Sequence, residues 1–517
     1  MKPIELNNDP QFFLDDRFIA ESEGIVLEVN PATKAGRVLT PERPWEAFRI
    51  TSDVVLEDNG LYKMWYSAIA HYQGKQGMVP CPRCRLENSG NKVVCVKCGW
   101  PLLEIDGMSK NLFHKCFAVS TDGIHWERPD LGLVEYEGNT RNNIFECTGA
   151  MGVPAINPLG PPEEKFMAIS EYQGQLYISV SPDGLRWTMK PKPVLPFSAD
   201  TNNQVIYDPV LGKYVAFLRG FPGRRTTARC EFDSLDEAPW PYQHIPRQPD
   251  NTGTTYIADE LEKVMDVDEN DPKLPGLDIN HLSANIYRPG VYLGFPGIFR
   301  KYPPAGLDRI GRENHRYFAQ GNDGTFETQL AVSRNGRQWT RPDRRPYVAN
   351  GPFGSPDGGL IMVVPGWIER DHEIYQYYNG LRTTHGIFDP GVDRQVGSIF
   401  RLIQSKDRFI SASAGSKGGR FVTPPLVHQG KTLDLNIDCG GLWETSAQIL
   451  DEGGNPIKGF TQADCDRVDL NPLCHSMTWR GQSNLGQTAG KPIRLEFFMH
   501  ASKLFTFQLA REHKGAG

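Results

Sequence analysis

Long apolar runs are missing from this chain. No stretch of 18 apolar residues occurs in its 517 residues, so we expect no transmembrane helix. Residues 1–10 lack the charged region followed by an apolar region that marks a secretory signal. A basic excess is also missing, because 56 Lys and Arg residues stand against 62 Asp and Glu residues. We therefore expect a cytoplasmic protein that binds a small neutral ligand rather than nucleic acid or a membrane.

Long helical stretches are missing too, whereas glycine (52 residues), proline (40 residues) and aromatic residues (10%) are plentiful. This composition is typical of a turn-rich β protein. The motif Ser-x-(Asp/Asn)-Gly-x-x-Trp occurs at 120–126, 181–187 and 333–339, each time after a short alternating apolar run. Asp-Gly or Asn-Gly between short strands predicts a tight turn, and a repeat of about 40 to 60 residues favours the blade of a β-propeller.

The predicted fold is all-β, with two domains and one insertion. Residues 1–415 are predicted to form a five-bladed β-propeller. A Gly- and Ser-rich stretch, 411–419, precedes short strands that indicate a β-sandwich over residues 416–517. The alternative is that the turns are hairpins of an unrelated all-β protein, but three matched copies favour the repeat.

Four of the ten cysteines form two Cys-x-x-Cys pairs, Cys81 with Cys84 and Cys95 with Cys98. Two such pairs complete a tetrahedral four-cysteine zinc site, so a zinc ribbon is predicted as an insertion at residues 79–101. Four protein ligands leave no open position, which makes the zinc structural. The ribbon would brace a loop or bind a partner subunit, as in a homo-oligomer. Disulfides or free thiols are the less favoured alternative, and no organic cofactor is expected.

Carboxylates beside asparagines recur where the inner strands of the predicted blades begin, and those positions gather at one end of a propeller channel. Glycoside cleavage needs one carboxylic acid and one carboxylate on opposite sides of the sugar. Each carboxylate could instead be a strand-end cap or a salt-bridge partner. The candidate catalytic residues are Glu46, Asp53, Asp200, Asp278 and Asp357. The candidate substrate-binding residues are Arg49, Asn142, Asn143, Asn203, Arg219, His281, Glu327 and His385.

Three segments carry a resemblance: Ser-Thr-Asp-Gly-Ile-His-Trp-Glu-Arg-Pro-Asp-Leu-Gly at 120–132, Asn-Gln-Val-Ile-Tyr-Asp-Pro at 203–209, and Leu-Phe-Thr-Phe-Gln-Leu at 504–509. With these the chain resembles bacterial proteins related to glycoside hydrolase families 32 and 43, the invertase and arabinanase relatives, over nearly its whole length. The resemblance implies a five-bladed propeller with three acidic channel residues. A base or nucleophile would be Glu46 or Asp53, a transition-state stabiliser Asp200, and an acid Asp278, Glu327 or Asp357.

The favoured function is therefore a glycoside hydrolase that cleaves a small neutral glycoside or oligosaccharide with paired carboxylates. A sialidase-like hydrolase is an alternative, in which arginines hold a substrate carboxylate and Tyr377 is the nucleophile; its candidate arginines are Arg49, Arg141 and Arg219. Two further alternatives are a carbohydrate-binding or scaffolding propeller without turnover, and an assembly factor that acts through the zinc ribbon.

Overall fold

The described residues form an all-β structure, as predicted from the sequence. They contain no α-helix, and none of their short 3-10 helices is long and apolar enough to cross a bilayer. The computed structural model describes residues 2–70, 78–80, 87–89, 113–196, 199–200, 202–220, 224–240, 261–273, 276–301, 323–385, 396–440 and 444–511. Short 3-10 helices in these ranges are Asp16–Phe18, Pro44–Glu46, Pro162–Glu164, Gln462–Asp464 and Gly486–Thr488.

The N-terminal segment supplies strands to distant parts of the fold. Its first four strands pair with strands near the C-terminus, and its fifth pairs with a strand beginning at Gly397. These strands are β1 (Ile4–Glu5), β2 (Gln11–Phe12), β3 (Glu21–Glu23), β4 (Ile25–Val29) and β5 (Thr33–Leu39).

From residue 49 onward the strands form five successive antiparallel units. Buried and half-buried residues alternate over 49–54, the period of a strand that packs one face against a neighbour. Unit I comprises β6 (Arg49–Asp58), β7 (Leu61–Ile69), β10 (Phe113–Ser120) and β11 (Ile144–Phe145), with the hairpin β8 (Met78–Pro80) and β9 (Glu87–Ser89) inserted after β7. Unit II comprises β12 (Ala150–Met151), β13 (Ala155–Ile156), β14 (Phe166–Tyr172), β15 (Gln175–Ser181) and β16 (Thr188–Met189).

The remaining three units follow the same order of strands. Unit III comprises β17 (Gln204–Asp208), β18 (Lys213–Gly220), β19 (Thr226–Phe232) and β20 (Glu262–Met265). Unit IV comprises β21 (Leu277–Arg288), β22 (Val291–Lys301), β23 (Gly324–Thr328), β24 (Ala331–Ser333) and β25 (Trp339–Thr340). Unit V comprises β26 (Leu360–Val363), β27 (Ile368–Glu369), β28 (Glu373–Leu381) and β29 (Gly397–Ser405), and β5 forms its outer strand.

Hydrophobic cores between consecutive units close them into a ring. Each core takes side chains from two neighbours, and the fifth joins unit V back to unit I, which is the arrangement of a five-bladed β-propeller. We call the units blades I to V. Representative pairs are Trp65 with Phe166, Ile178 with Val205, Phe217 with Ile298, Phe295 with Tyr378, and Tyr66 with Tyr377.

Side-chain amides also join neighbouring blades through hydrogen bonds. The Ser52 N–H donates to Asn379 Oδ1 at 2.6 Å, and Asn379 Nδ2 donates to the Ser52 carbonyl at 2.9 Å, which joins blade V to blade I. Gln204 does the same for Ala284, through bonds of 2.8 and 3.1 Å, between blades III and IV. Both amides are buried, and their reciprocal bonds satisfy polar groups that would otherwise be costly.

The three repeated motifs form the tight turns that the sequence predicts, directly after β10, β15 and β24. In the first copy the Gly123 N–H donates to Ser120 Oγ at 2.8 Å, and the Ile124 N–H donates to Asp122 Oδ1 at 2.8 Å. Gly123 has a φ of 74°, which favours glycine at this position. Equivalent bonds occur in the copies that begin at Ser181 and Ser333.

A β-sandwich follows the propeller. Its two sheets take strands from both chain ends, because β1 and β3 lie in one and β2 and β4 in the other, so residues 4–29 contribute to it. The domain limits 1–415 and 416–517 stay predictions. The other sandwich strands are β30 (Ile410–Ala414), β31 (Gly419–Val422), β32 (Leu426–Val427), β33 (Thr432–Asp438), β34 (Glu444–Asp451), β35 (His475–Ser476), β36 (Ile493–His500) and β37 (Lys503–Ala510).

Candidate active site at the channel mouth

The inner strands of all five blades begin at the same end of the central channel, which we call the channel mouth. Parallel contacts between neighbouring blades agree with this direction. The inner strands of blades II and III run parallel at Val153 and Gln204. Strand β23 of blade IV runs parallel to β26 at Phe326 and Leu360, and β29 of blade V runs parallel to β6 at Gly397 and Arg49. Loops at the carboxyl or amino ends of ordered strands are common positions for functional side chains. The predicted site residues are therefore described by what each contacts at this mouth.

Asp200 lies in a strained loop just before the inner strand of blade III. Asp200 and Asn202 have φ values of 57° and 60°, a left-handed conformation that residues other than glycine seldom adopt. Such strain clusters at functional sites. The Asp200 carboxylate forms an ion pair with Arg219 and is 37% exposed, so it faces solvent at the mouth.

Arg219 joins this loop to the inner strand of blade IV. Its Nε and Nη2 donate to the Asn280 carbonyl oxygen at 3.1 and 2.7 Å, and Nη2 also reaches Asn280 Oδ1 at 3.1 Å. The guanidinium group is buried, and it lies between the Asp200 carboxylate and the Asn280 backbone. Arg219 therefore holds Asp200 in place against a neighbouring blade.

His281 is a buried neutral imidazole beside this cluster. Its Nδ1 lies 3.2 Å from Asn280 Oδ1, an oxygen that can only accept, so Nδ1 carries the hydrogen. Burial, helped by the charge of Arg219, lowers the pKa of His281 to about 3. Its Nε2 has no hydrogen-bond partner among the described residues. The ring is 4% exposed, so this acceptor nitrogen is buried.

Asp53 lies at a β-bulge in the inner strand of blade I. The strand register shifts between Ser52 and Val54, and such a bulge re-aims the side chain. Lys115 Nζ approaches Asp53 Oδ2 at 2.8 Å, and Ser67 Oγ donates to Asp53 Oδ1 at 3.2 Å. Burial raises the pKa of Asp53 above its usual value, against the opposing effects of Lys115 and Ser67.

Asp278 is enclosed by cations. Its Oδ2 lies 3.2 Å from Arg225 Nη1 and 2.7 Å from Lys301 Nζ, and the side chain is almost fully buried. Both cations also lie over the ring of Phe299, at 5.4 and 5.6 Å from its centroid. This arrangement packs blade III against blade IV and leaves the carboxylate little room for a substrate.

Glu46 is fully buried. Its carboxylate accepts hydrogen bonds from the Glu42 N–H at 2.9 Å, from the Tyr66 hydroxyl at 2.6 Å and from Arg128 Nε at 2.9 Å. With 0% exposure and several donors, this carboxylate holds the 3-10 helix that ends at Glu46 against blade I. These contacts give no support to a catalytic role for Glu46.

Asp357 forms a similar structural contact in blade V. Its Oδ2 accepts from Lys34 Nζ at 2.6 Å and from the Tyr378 hydroxyl at 3.0 Å. Burial acts to raise the pKa of Asp357, but the hydrogen bond and charge of Lys34 outweigh it and leave that pKa below its usual value. The pair ties the N-terminal strand β5 to blade V.

Some of the predicted binding residues make contacts that stabilise the blades, and others lie at the mouth. Asn142 and Asn143 use their side-chain amides on backbone and buried polar groups of blade I. Glu327 pairs with Arg300, and His385 packs on Phe299 with ring centroids 5.0 Å apart. Arg49 and Asn203 lie at the mouth. Asn203 Nδ2 donates to the Asp200 carbonyl at 2.9 Å, while its buried Oδ1 has no hydrogen-bond partner in the described ranges.

The sialidase-like alternative meets an obstacle at Tyr377. Its ring is fully buried between blades V and I, and its hydroxyl donates to the Gly123 carbonyl at 2.6 Å. Burial raises the pKa of Tyr377 well above its usual value. A buried, hydrogen-bonded phenol is a poor nucleophile, so this residue supports the fold rather than that chemistry.

Sequence reasoning missed Lys115 and Ser67, which contact Asp53 directly. Lys115 lies in β10, and nothing in its local sequence reveals a partner 62 positions earlier. The cysteines of the predicted zinc ribbon, Cys81, Cys84, Cys95 and Cys98, lie outside the described residues. Within the described part of the chain, no three metal-binding side chains cluster.

No protein-family model and no curated protein matches the chain. A solved structure of a glycoside hydrolase is 14% identical, with 72% of this chain and 92% of that chain covered and a TM-score of 0.39. A family 43 arabinoxylan arabinofuranohydrolase from Bacillus subtilis is 11% identical, with coverages of 90% and 96% and a TM-score of 0.38.

A third solved structure, an N-acetylgalactosamine deacetylase from F. plautii, is 14% identical, with coverages of 74% and 96% and a TM-score of 0.39. TM-scores below 0.5 identify neither fold nor chemistry, so both depend on the chain's own contacts.

Proposed function

We propose that the protein is a glycoside hydrolase that cleaves a small neutral glycoside or oligosaccharide at the channel mouth, with Asp53 and Asp200 as its paired carboxyl groups. The proposal rests on the difference between the environments of these two carboxyl groups. Asp53 is enclosed in blade I with a raised pKa, whereas Asp200 is an exposed carboxylate paired with Arg219 in blade III. Carboxyl groups whose environments differ in this way divide into acid and base roles.

Asp53 is assigned the general acid and Asp200 the nucleophile or base. An acid must hold its proton near neutral pH, and burial of Asp53 favours its protonated form. Asp200 is the more exposed group, and its strained loop and ion pair fix it toward solvent. The assignment moves the acid to blade I, where the family resemblance implies a base or nucleophile.

Two neighbouring groups suit sugar hydroxyls. His281 Nε2 and Asn203 Oδ1 are buried acceptors with no hydrogen-bond partner in the described ranges. A buried acceptor left without a partner costs free energy, about 1–3 kcal/mol, and a bound hydroxyl group would recover it. Both flank the Asp200 and Arg219 pair along blades III and IV.

Release of sugar from a panel of furanosides, pyranosides and short oligosaccharides tests the proposal. The variants are Asp53→Asn and Asp200→Asn, with Asp183→Asn as control, because Asp183 is also a part-exposed aspartate paired with an arginine but lies in the turn of blade II. We expect release by the wild type and the control. Loss of about 100-fold or more is expected in both mouth variants.

Two results would overturn the assignment. Unchanged sugar release by both Asp53→Asn and Asp200→Asn would show that neither carboxyl group takes part in catalysis. No release by the wild type, with sugars still raising its melting temperature, would favour a carbohydrate-binding propeller without turnover.

We further propose that Cys81, Cys84, Cys95 and Cys98 hold a structural zinc ion. Support comes from the backbone: β8 and β9 pair antiparallel, Pro80 opposite Glu87, so the first Cys-x-x-Cys pair falls in the connection 81–86 between paired strands. Two Cys-x-x-Cys pairs supply the four thiolates of a tetrahedral structural zinc site. Metal analysis of the purified protein should find one zinc per chain, and a Cys81→Ser/Cys84→Ser variant should lose it. A metal-free wild type would refute the site.

A further inference from the structure

The contacts of Asp53 single out one more residue. Lys115 Nζ lies 2.8 Å from Asp53 Oδ2 and 3.0 Å from Ser67 Oγ, and Ser67 Oγ lies 3.2 Å from Asp53 Oδ1. The three side chains therefore form a closed triangle of hydrogen bonds. They come from three adjacent strands of blade I, since Ser67 is opposite both Thr51 and Lys115 in the sheet register.

We propose that Lys115 is a positioning residue for Asp53: its ammonium group aims that carboxyl group at the channel mouth and stabilises the negative charge left on it once its proton has passed to the substrate. This inference rests on the proposed function. Asp53 gives its proton to the leaving oxygen as the glycosidic bond breaks, and the carboxylate that remains gains the full attraction of Lys115. Charge that develops during a reaction is where a preorganised cation contributes most.

Few charged groups face the triangle in the described part of the chain. From the blade II side, the thiol of Cys147 lies close enough to feel the charges of Lys115, Asp53 and Glu146, and burial raises the pKa of that thiol. Cys147 is thus a neutral neighbour near neutral pH, and the charged group that acts on Asp53 among the described residues is Lys115. Lys115 and Asp53 are each less than one-fifth exposed, so solvent screens their attraction only in part.

The alternative role for Lys115 is that of a purely structural ion pair, and the same blade contains one. Asp58 and Lys63 lie at the other end of strands β6 and β7. Lys63 Nζ lies 2.6 Å from Asp58 Oδ2, and Lys165 Nζ lies 2.5 Å from Asp58 Oδ1. Both lysines also lie over the Phe166 ring. Lys63 is therefore a matched control: it is a half-buried lysine on an aspartate of the same blade, away from the mouth.

The test compares pH profiles of kcat/KM for the wild type, Lys115→Met, Lys115→Arg and Lys63→Met, on whichever substrate the wild type cleaves. Without the cation, Asp53 holds its proton more tightly, so the alkaline limb in Lys115→Met should move up by about one pH unit or more. The maximum rate should fall about 10-fold or more, because the carboxylate product loses its partner. Lys115→Arg should restore the wild-type limb, and Lys63→Met should leave it in place.

A titration without substrate separates the two proposals. Carboxyl-selective 13C NMR, with Asp53→Asn used to assign the signal, should give a higher pKa for Asp53 in Lys115→Met than in the wild type. A wild type that turns over while Lys115→Met keeps its profile and its Asp53 pKa would overturn the role of Lys115 and leave the hydrolase standing. An inactive wild type whose Asp53 titration still shifts would overturn the hydrolase and leave the Lys115 coupling standing.

Discussion

The hydroxyl group of Tyr377 donates a 2.6 Å hydrogen bond to the carbonyl oxygen of Gly123, and so joins the last blade to a turn of the first. Trp65 Nε1 makes the equivalent bond to the Gly184 carbonyl at 2.7 Å, between blades I and II. In both cases the second strand of one blade reaches the repeated turn of the next. The turn motif therefore carries inter-blade contacts as well as a hairpin.

Loss of the Tyr377 hydroxyl should weaken the ring closure. In Tyr377→Phe the Gly123 carbonyl loses its donor inside a closed core, which should lower the free energy of unfolding by about 1–3 kcal/mol. Urea denaturation measures this change. Tyr172→Phe, on a half-exposed ring, is the control and should change stability by about 0.5 kcal/mol or less. Equal stability of the two variants would mean that the closing hydrogen bond contributes nothing.

The repeat was the part of the fold that the sequence could predict, because turn chemistry and strand alternation are local. Pairings between distant segments could not be predicted, because the local sequence contains no pattern that specifies them. Strand β5 joins blade V, and β1 to β4 join the sandwich, although all precede blade I in the chain. A strand's neighbours across a sheet depend on the whole topology and not on its own residues.

The site shows the same division. Glu46 and Asp357 look like channel carboxylates in the sequence, yet each is occupied by a cation that is distant in sequence: Arg128 for Glu46 and Lys34 for Asp357. Asp53 and Asp200 are distinguished only by a bulge and a left-handed loop, which no spacing rule reveals. Residue type and position predicted the candidates, but the burial and the partners of each carboxylate follow from the whole fold and could not be predicted.

Glu46 should behave as a structural residue. Replacement of Arg128 by Met leaves the Glu46 carboxylate buried without its cation, which should cost about 3–5 kcal/mol of stability. Glu46→Gln keeps the shape and should cost less, while activity per folded molecule stays at the wild-type level. Thermal melts and single-substrate assays on the two variants check this. A stable Glu46→Gln variant without activity would return Glu46 to the catalytic set.

Gly297 should tolerate no side chain, because its missing Cβ makes room for His281. A Cβ at this position would stand 2.3 Å from His281 Cε1, which is well inside contact distance. Gly297→Ala should therefore displace the imidazole, lower stability by about 1–3 kcal/mol and weaken sugar binding. Gly415→Ala is the control for stability, since a Cβ there meets nothing within 4 Å and Gly415 has no positive φ. Calorimetric binding and melting curves decide whether the two effects occur together.

His281 should make the protein sensitive to acid. Burial and the charge of Arg219 hold the folded-state pKa of His281 at about 3, below the value of about 6.5 expected in the unfolded chain. A base whose pKa is lower in the folded state takes up its proton only in the unfolded chain. It therefore costs no stability above pH 6.5, and it lowers the free energy of unfolding as the pH falls toward 3. Between pH 8 and pH 5 this should remove about 2 kcal/mol from the free energy of unfolding. Urea denaturation of the wild type, His281→Gln and the exposed control His372→Gln at both pH values measures the slope. The His281 variant should lose this part of the pH dependence and the control should keep it, whereas an identical slope in all three proteins would show that the imidazole is already protonated, or solvated, in the folded state.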